Sequence, residues 1–92
     1  MSVRRSKLQI LIDILVTVQN QRANAKFTHI LYKANLTHKR LKEYLDMLMG
    51  RGFIEEVRGK GRSTYKITPK GEEFLSEFHR LSEFSEAFGI PL

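Results

Sequence analysis

Gly52-Phe53-Ile54-Glu55-Glu56-Val57-Arg58-Gly59-Lys60-Gly61-Arg62-Ser63-Thr64-Tyr65-Lys66-Ile67-Thr68-Pro69 is the most informative part of the chain. Residues 53–58 and 63–68 are rich in β-branched and aromatic side chains and read as strands. Between them Gly59-Lys60-Gly61-Arg62 offers two glycines that tolerate positive φ, which a tight hairpin loop requires. Gly52 is a natural stop for a preceding helix. Thr68-Pro69 opens a following one, with threonine as cap and proline at the first helical position. The pattern predicts one β-hairpin set between two helices.

Upstream, Leu41, Tyr44, Leu45 and Leu48 share one face of a helix over about 38–50, with Lys39, Lys42, Glu43 and Asp46 on the other side. Thr37 supplies its N-cap oxygen, and Asn35-Leu36 makes a tight turn after a short helix capped by Thr28 and ending near Ala34. A first helix over roughly 4–19 carries Leu8, Leu11, Ile12, Leu15 and Val18, widened by Ile10, Ile14 and Val16. So broad an apolar stripe predicts more than one covering neighbour. Downstream, the last helix runs to about Ala87 and ends at Gly89 and Pro91, with Glu72 and Glu73 in its favourable first turns. Helix, helix, tight turn, helix, hairpin, helix is the order of a winged helix-turn-helix. The expected fold is α+β and mainly helical, with a DNA-binding domain over 1–71 and an added C-terminal helix over 69–92.

Ninety-two residues with 41% apolar side chains suffice for one core and no second. A net charge of +6 favours a polyanionic partner. The charge is uneven: residues 1–71 hold fifteen basic and five acidic side chains, residues 72–92 one basic and five acidic. Without cysteine there is no disulfide, thiol nucleophile or thiolate metal site. His29, His38 and His79 fall on three different helices without ligand spacing, and Gly59-x-Gly61 lacks the strand-to-helix setting of a nucleotide loop. No enzyme, cofactor, metal or small-molecule site is predicted. The apolar run Leu8–Val18 is broken by Asp13, lacks a following cleavage site and is too short to span a bilayer. The expectation is a cytoplasmic, nucleoid-associated protein with no membrane contact.

Four groups of residues are candidates for binding. His38, Lys39 and Lys42 lie in the first turns of the third helix, where cations oppose the macrodipole unless an anion is near. With Thr37 they form the expected DNA-reading group. Arg58, Lys60 and Arg62 make a basic wing suited to the DNA backbone or minor groove, or else to keeping a hairpin tip soluble. Arg4, Arg5 and Lys7 are an N-terminal arm or merely a basic leader. Phe74, Phe78, Leu81 and Phe88 recur at helical spacing with Phe84 flanking, and four of the six phenylalanines fall here. Part of this stripe is expected to pack in the chain and the distal part to pair with a second copy. Docking of protein partners on a winged-helix module, without DNA, is the alternative.

Arg5-Ser6-Lys7-Leu8, the run Thr28-His29-Ile30-Leu31-Tyr32-Lys33-Ala34-Asn35-Leu36-Thr37 and Tyr44-Leu45-Asp46-Met47-Leu48 carry a family likeness. With Gly52-Phe53-Ile54 and Tyr65-Lys66-Ile67-Thr68-Pro69-Lys70-Gly71, the chain resembles the small archaeal winged-helix DNA-binding proteins, from about residue 4 to 80. The resemblance implies a double-stranded DNA binder, used in transcription control or chromatin, that dimerises through its last helix. Chromatin-type members carry a long C-terminal coiled coil. Here the last helix spans about twenty residues, so a shorter dimer contact is expected.

Overall fold

A computed structural model describes residues 6–90. Helix α1 (Lys7–Asn20) starts at a capping box: Ser6 Oγ accepts from Gln9 N–H at 3.1 Å, and Gln9 Oε1 accepts from Ser6 N–H at 3.3 Å. The Ser6-x-x-Gln9 signal therefore sets the start at residue 7, later than the apolar periodicity suggested. Arg4 and Arg5 lie outside the described residues.

Helix α2 (Phe27–Ala34) has Lys26 as its N-cap, and Thr28 sits inside the helix instead of capping it. The cause is a tertiary one. Tyr65 N–H donates to Ala25 O at 2.8 Å, so the chain leaves that bridge directly into α2. At the other end Asn35 takes the left-handed conformation at φ 53, turning the chain into Thr37. There Thr37 Oγ1 accepts from Arg40 N–H at 3.2 Å and caps α3 (His38–Gly50).

Strands β1 (Ile54–Gly59) and β2 (Arg62–Ile67) pair antiparallel from Ile54↔Ile67 to Gly59↔Arg62. The loop is thus only Lys60-Gly61, shorter than the four residues expected, with φ 47 and φ 76. Two consecutive positive φ values match the right-handed twist of the flanking strands. Gly59 lies in the strand and takes no positive φ. Helix α4 (Pro69–Ala87) begins at Thr68, whose Oγ1 accepts from Gly71 N–H and donates to Gly52 O. After α4, Ile90 N–H returns to Ser85 O at 2.8 Å.

The core joins Ile14, Leu15 and Val18 of α1 to Ile30, Leu41, Leu45, Leu48, Ile54 and Leu75. Each such side chain contributes roughly 1.5–3 kcal/mol by leaving water. Helix α1 packs on α2, β2 and α4, which accounts for its broad apolar face. Its buried members include Ile10 and Ile14, whereas Leu8, expected in the stripe, is 41% exposed. Leu8 falls in the first turn, beyond the reach of those neighbours.

Candidate nucleic-acid interface

Three buried leucines, Leu41, Leu45 and Leu48, anchor α3 and turn Lys39, Lys42, Glu43 and Asp46 to solvent. His38 stacks on Phe27 with ring centroids 4.6 Å apart, tying the start of α3 to the start of α2. Arg40, absent from the sequence-based candidates, is also exposed in the first turn. Its guanidinium donates to Tyr44 Oη at 3.2 Å and lies 5.8 Å from the Tyr44 ring centroid. The spacing of Arg40 and Tyr44, one helical turn apart, was the available signal.

On one flank of α3, Lys7 comes beside Arg40, Glu43, Tyr44 and Met47 around an open cleft of about 260 Å³. The described member of the basic arm thus stands next to α3. On the other flank, His38, Lys42 and Asp46 face Glu56, Arg58 and Tyr65 of the hairpin across a crevice of about 400 Å³. Arg58 Nε is 3.6 Å from Glu56 Oε2. Burial, then the carboxylates of Glu56 and Asp46, push the Tyr65 hydroxyl above its usual range against a smaller opposing effect of Arg58.

Strand alternation separates the wing cations. Glu56, Arg58 and Tyr65 share the face turned to α3, while Val57, Gly59, Arg62 and Thr64 share the opposite one. Arg62 accordingly lines an outer cleft with Asn24 and Lys26 and does not line the α3 crevice, though at the tip it shares a second open cleft with Arg58. Lys60 occupies the tip between them.

The stripe on α4 divides as well. Phe74 and Phe78 pack against the core, with Phe74 and Phe53 ring centroids 5.0 Å apart. Leu81, Phe84 and Phe88 are 52%, 62% and 67% exposed, and the Phe84 and Phe88 rings lie 4.8 Å apart. Among the described residues no three His, Asp or Glu side chains are grouped to hold a metal ion. No helix among them is long and apolar enough to cross a membrane.

Two helices joined at a left-handed asparagine, the second presenting a polar face beside a basic hairpin, define a winged helix-turn-helix domain. Residues 4–86 match the winged helix-turn-helix family, and the chain belongs to that family. An uncharacterized protein of Methanocaldococcus jannaschii is 36% identical over 80 residues, covering 87% of this chain and 35% of that protein. The chain therefore spans about a third of the length of that relative. A second uncharacterized protein of the same organism is 28% identical over 80 residues, covering 87% of this chain and 76% of its own. Among solved structures, Sso10a-2, a DNA-binding protein from Sulfolobus solfataricus, superposes with a TM-score of 0.76 at 24% identity, over 91% of this chain and 85% of its own. Streptococcus pneumoniae FabT, crystallised in complex with DNA, gives 0.67 at 18% identity, over 92% of this chain and 62% of its own. Structural likeness at these identities establishes the fold.

Proposed function

We propose that the protein binds double-stranded DNA as a homodimer and acts in transcription control or on chromatin. The observation that carries this reading is the convergence of cations from three parts of the chain around α3. Lys7 stands on one flank, Arg58 on the other, and Lys39, Arg40 and Lys42 project between them. In this reading α3 enters the major groove, where lysine and arginine meet phosphates and guanine edges. The hairpin lies on the backbone or minor groove beside it. Sso10a-2 and FabT, of the same fold, are described as DNA-binding and as a DNA complex, which favours DNA over a purely protein-docking role.

Residues 1–71 supply the DNA-binding surface, and the distal part of 69–92 pairs with a second copy through Leu81, Phe84 and Phe88. Exposed Glu73, Glu77, Glu83 and Glu86 would repel phosphates, so the paired end points away from the duplex. The role is one of occupancy: no catalytic step is assigned.

Polarisation titration on random duplex DNA at two salt concentrations tests the reading. Phosphate contacts by Lys39, Lys42, Lys60 and Arg62 would contribute about −3.6 to the log–log salt slope, from about −0.9 per contact. Those four contacts alone would lower affinity about 150-fold for a fourfold rise in salt. Neutralising Lys39 and Lys42 should lower the magnitude of the slope by about 1.8. Absent or salt-insensitive binding overturns the DNA reading and favours the protein-docking alternative.

A further inference from the structure

The crevice between α3 and the hairpin contains a hydroxyl that the fold does not use. Tyr65 is only 8% exposed, and its ring lines the crevice with Phe27, Leu45 and Met49. Among the described residues its Oη makes no hydrogen bond. No fully enclosed polar atom among them lacks a partner, so this hydroxyl opens into the crevice. A buried tyrosine hydroxyl ordinarily has a partner, and here the partner has to come from outside the chain.

Two cations and two carboxylates line the same crevice, and the topology sorts them by sign. Helix α3 and strand β1 meet through residues 51–53, so Asp46 and Glu56 lie nearer that connection than Lys42 and Arg58 do. Four helical residues advance about 6 Å and two strand residues about 6.6 Å, which sets both cations about 6 Å farther out than the carboxylates. Glu56 stands opposite Tyr65 in the strand ladder, so the unused hydroxyl belongs to the acidic end. These charges are not consumed by one another. Lys42 and Asp46, one turn apart, form no ion pair among the described residues. Arg58 is 81% exposed and 3.6 Å from Glu56, a pair that solvent weakens and a ligand can exchange.

A zwitterion matches this arrangement, whereas a simple ion does not. An anion would meet Asp46 and Glu56, and a cation would meet Lys42 and Arg58. An α-amino acid carries both charges on one carbon. Its carboxylate would accept from Lys42 and Arg58, and its ammonium would donate to Asp46, Glu56 and the Tyr65 hydroxyl. Phe27, Leu45 and Met49 make the remaining wall apolar, which suits an aliphatic or aromatic side chain. The volume of about 400 Å³ falls within the range of small-molecule sites, about 300–1,000 Å³. We infer that the crevice between α3 and β1 binds a free α-amino acid with an apolar side chain, and that this ligand competes with DNA for Lys42 and Arg58. The site stands on the crevice itself, and the competition rests on the DNA reading above.

The test titrates the protein with L-phenylalanine and L-leucine and follows amide shifts by NMR. The N-acetyl derivative of each, which lacks the ammonium, and the amide of each, which lacks the carboxylate, serve as comparisons. At least one amino acid should shift Lys42, Asp46, Met49, Glu56 and Tyr65, and its two derivatives should bind about tenfold more weakly or worse, since charge-assisted hydrogen bonds are lost. Tyr65→Phe keeps the ring and Asp46→Asn alters an exposed side chain, so both should fold, which a thermal melt checks. Each should weaken amino-acid binding about tenfold. On duplex DNA, the saturating amino acid should lower the magnitude of the salt slope by up to about 1.8, from about 0.9 for each of two cations. If neither amino acid shifts these amides, or a derivative binds as tightly as its parent, the inference is overturned. Binding that survives unchanged in both folded variants overturns it too, because the contact then lies elsewhere. A bound amino acid with an unchanged DNA slope overturns the competition and leaves the site. If the shifts appear but the wild type binds no DNA, the DNA reading fails and the site remains.

Discussion

Gly71→Ala sets helix propensity against packing, and the structure says which wins. Alanine is better than glycine in a helix interior by about 0.8–1.0 kcal/mol, so propensity alone predicts stabilisation. Yet Gly71 is buried in the first turn of α4, with its N–H 3.1 Å from Thr68 Oγ1. A Cβ there would collide with the Phe53 carbonyl oxygen and come 2.7 Å from Ile67 Cγ1. Overpacking of this kind costs typically about 1–3 kcal/mol. The obstructing atom is backbone, and it also accepts the Thr68 N–H at 3.0 Å, so moving it puts a further bond at risk, worth roughly 0.5–1.5 kcal/mol. After subtracting the propensity gain, the variant should lose about 1–3 kcal/mol. For a domain of this size that lowers Tm by roughly 4–8 °C per kcal/mol. Gly50→Ala is the matched control: Gly50 closes α3, and a Cβ there would meet nothing within 4 Å. It should be neutral or stabilising by up to about 1 kcal/mol. Thermal and urea melts followed by far-UV circular dichroism measure both. A Gly71→Ala protein as stable as the wild type would refute the close approach of α4 to the α3–β1 connection.

Stability should also fall at alkaline pH through Tyr65. Its raised folded-state pKa contributes stability that is fully present below about pH 10 and lost as pH rises through the folded value, because the unfolded chain releases the proton first. Urea melts from pH 8 to 11 should show a shallower alkaline loss in Tyr65→Phe, and identical slopes would exclude this residue. For the dimer, Phe84→Glu and Phe88→Glu alter exposed rings and should leave the fold intact while light scattering reports a monomer. An unchanged dimer would move the contact elsewhere. Phe78→Glu is a poorer probe, because Phe78 packs against the core and its change would reduce stability as well.

The elements were readable where the signal is local. Thr37 caps α3 because a hydroxyl three residues ahead of an amide donor suffices, and Thr68-Pro69 marks α4 for the same reason. Both bounds of α3 and the start and end of α4 follow from such caps and from the spacing of Leu41, Leu45 and Leu48. Errors arose where a distant partner intervened. The bridge from Tyr65 to Ala25 moved the start of α2 to Phe27, and nothing near Thr28 announces that bond. A four-residue loop was expected where Lys60 accepts a positive φ; the ladder runs one pair further, to Gly59↔Arg62, in the register that joining Arg58 to Ser63 implies.

Register is what separates the binding groups. Composition and the run Gly59-Lys60-Gly61-Arg62 sufficed to mark a basic hairpin after a helix-turn-helix, since charge and glycine content belong to the chain. Which face each cation takes depends on pairing, and a slip of one residue reverses it. Only the folded chain sends Arg58 toward α3 and Arg62 toward Lys26. Likewise the spacing of Phe74, Phe78, Leu81, Phe84 and Phe88 is a property of the sequence. Their division into a packed half and an exposed half comes from where α1 and Phe53 cover α4. Local propensity and pattern act between residues a few positions apart, whereas burial and charge pairing are set by neighbours that the chain brings together only on folding.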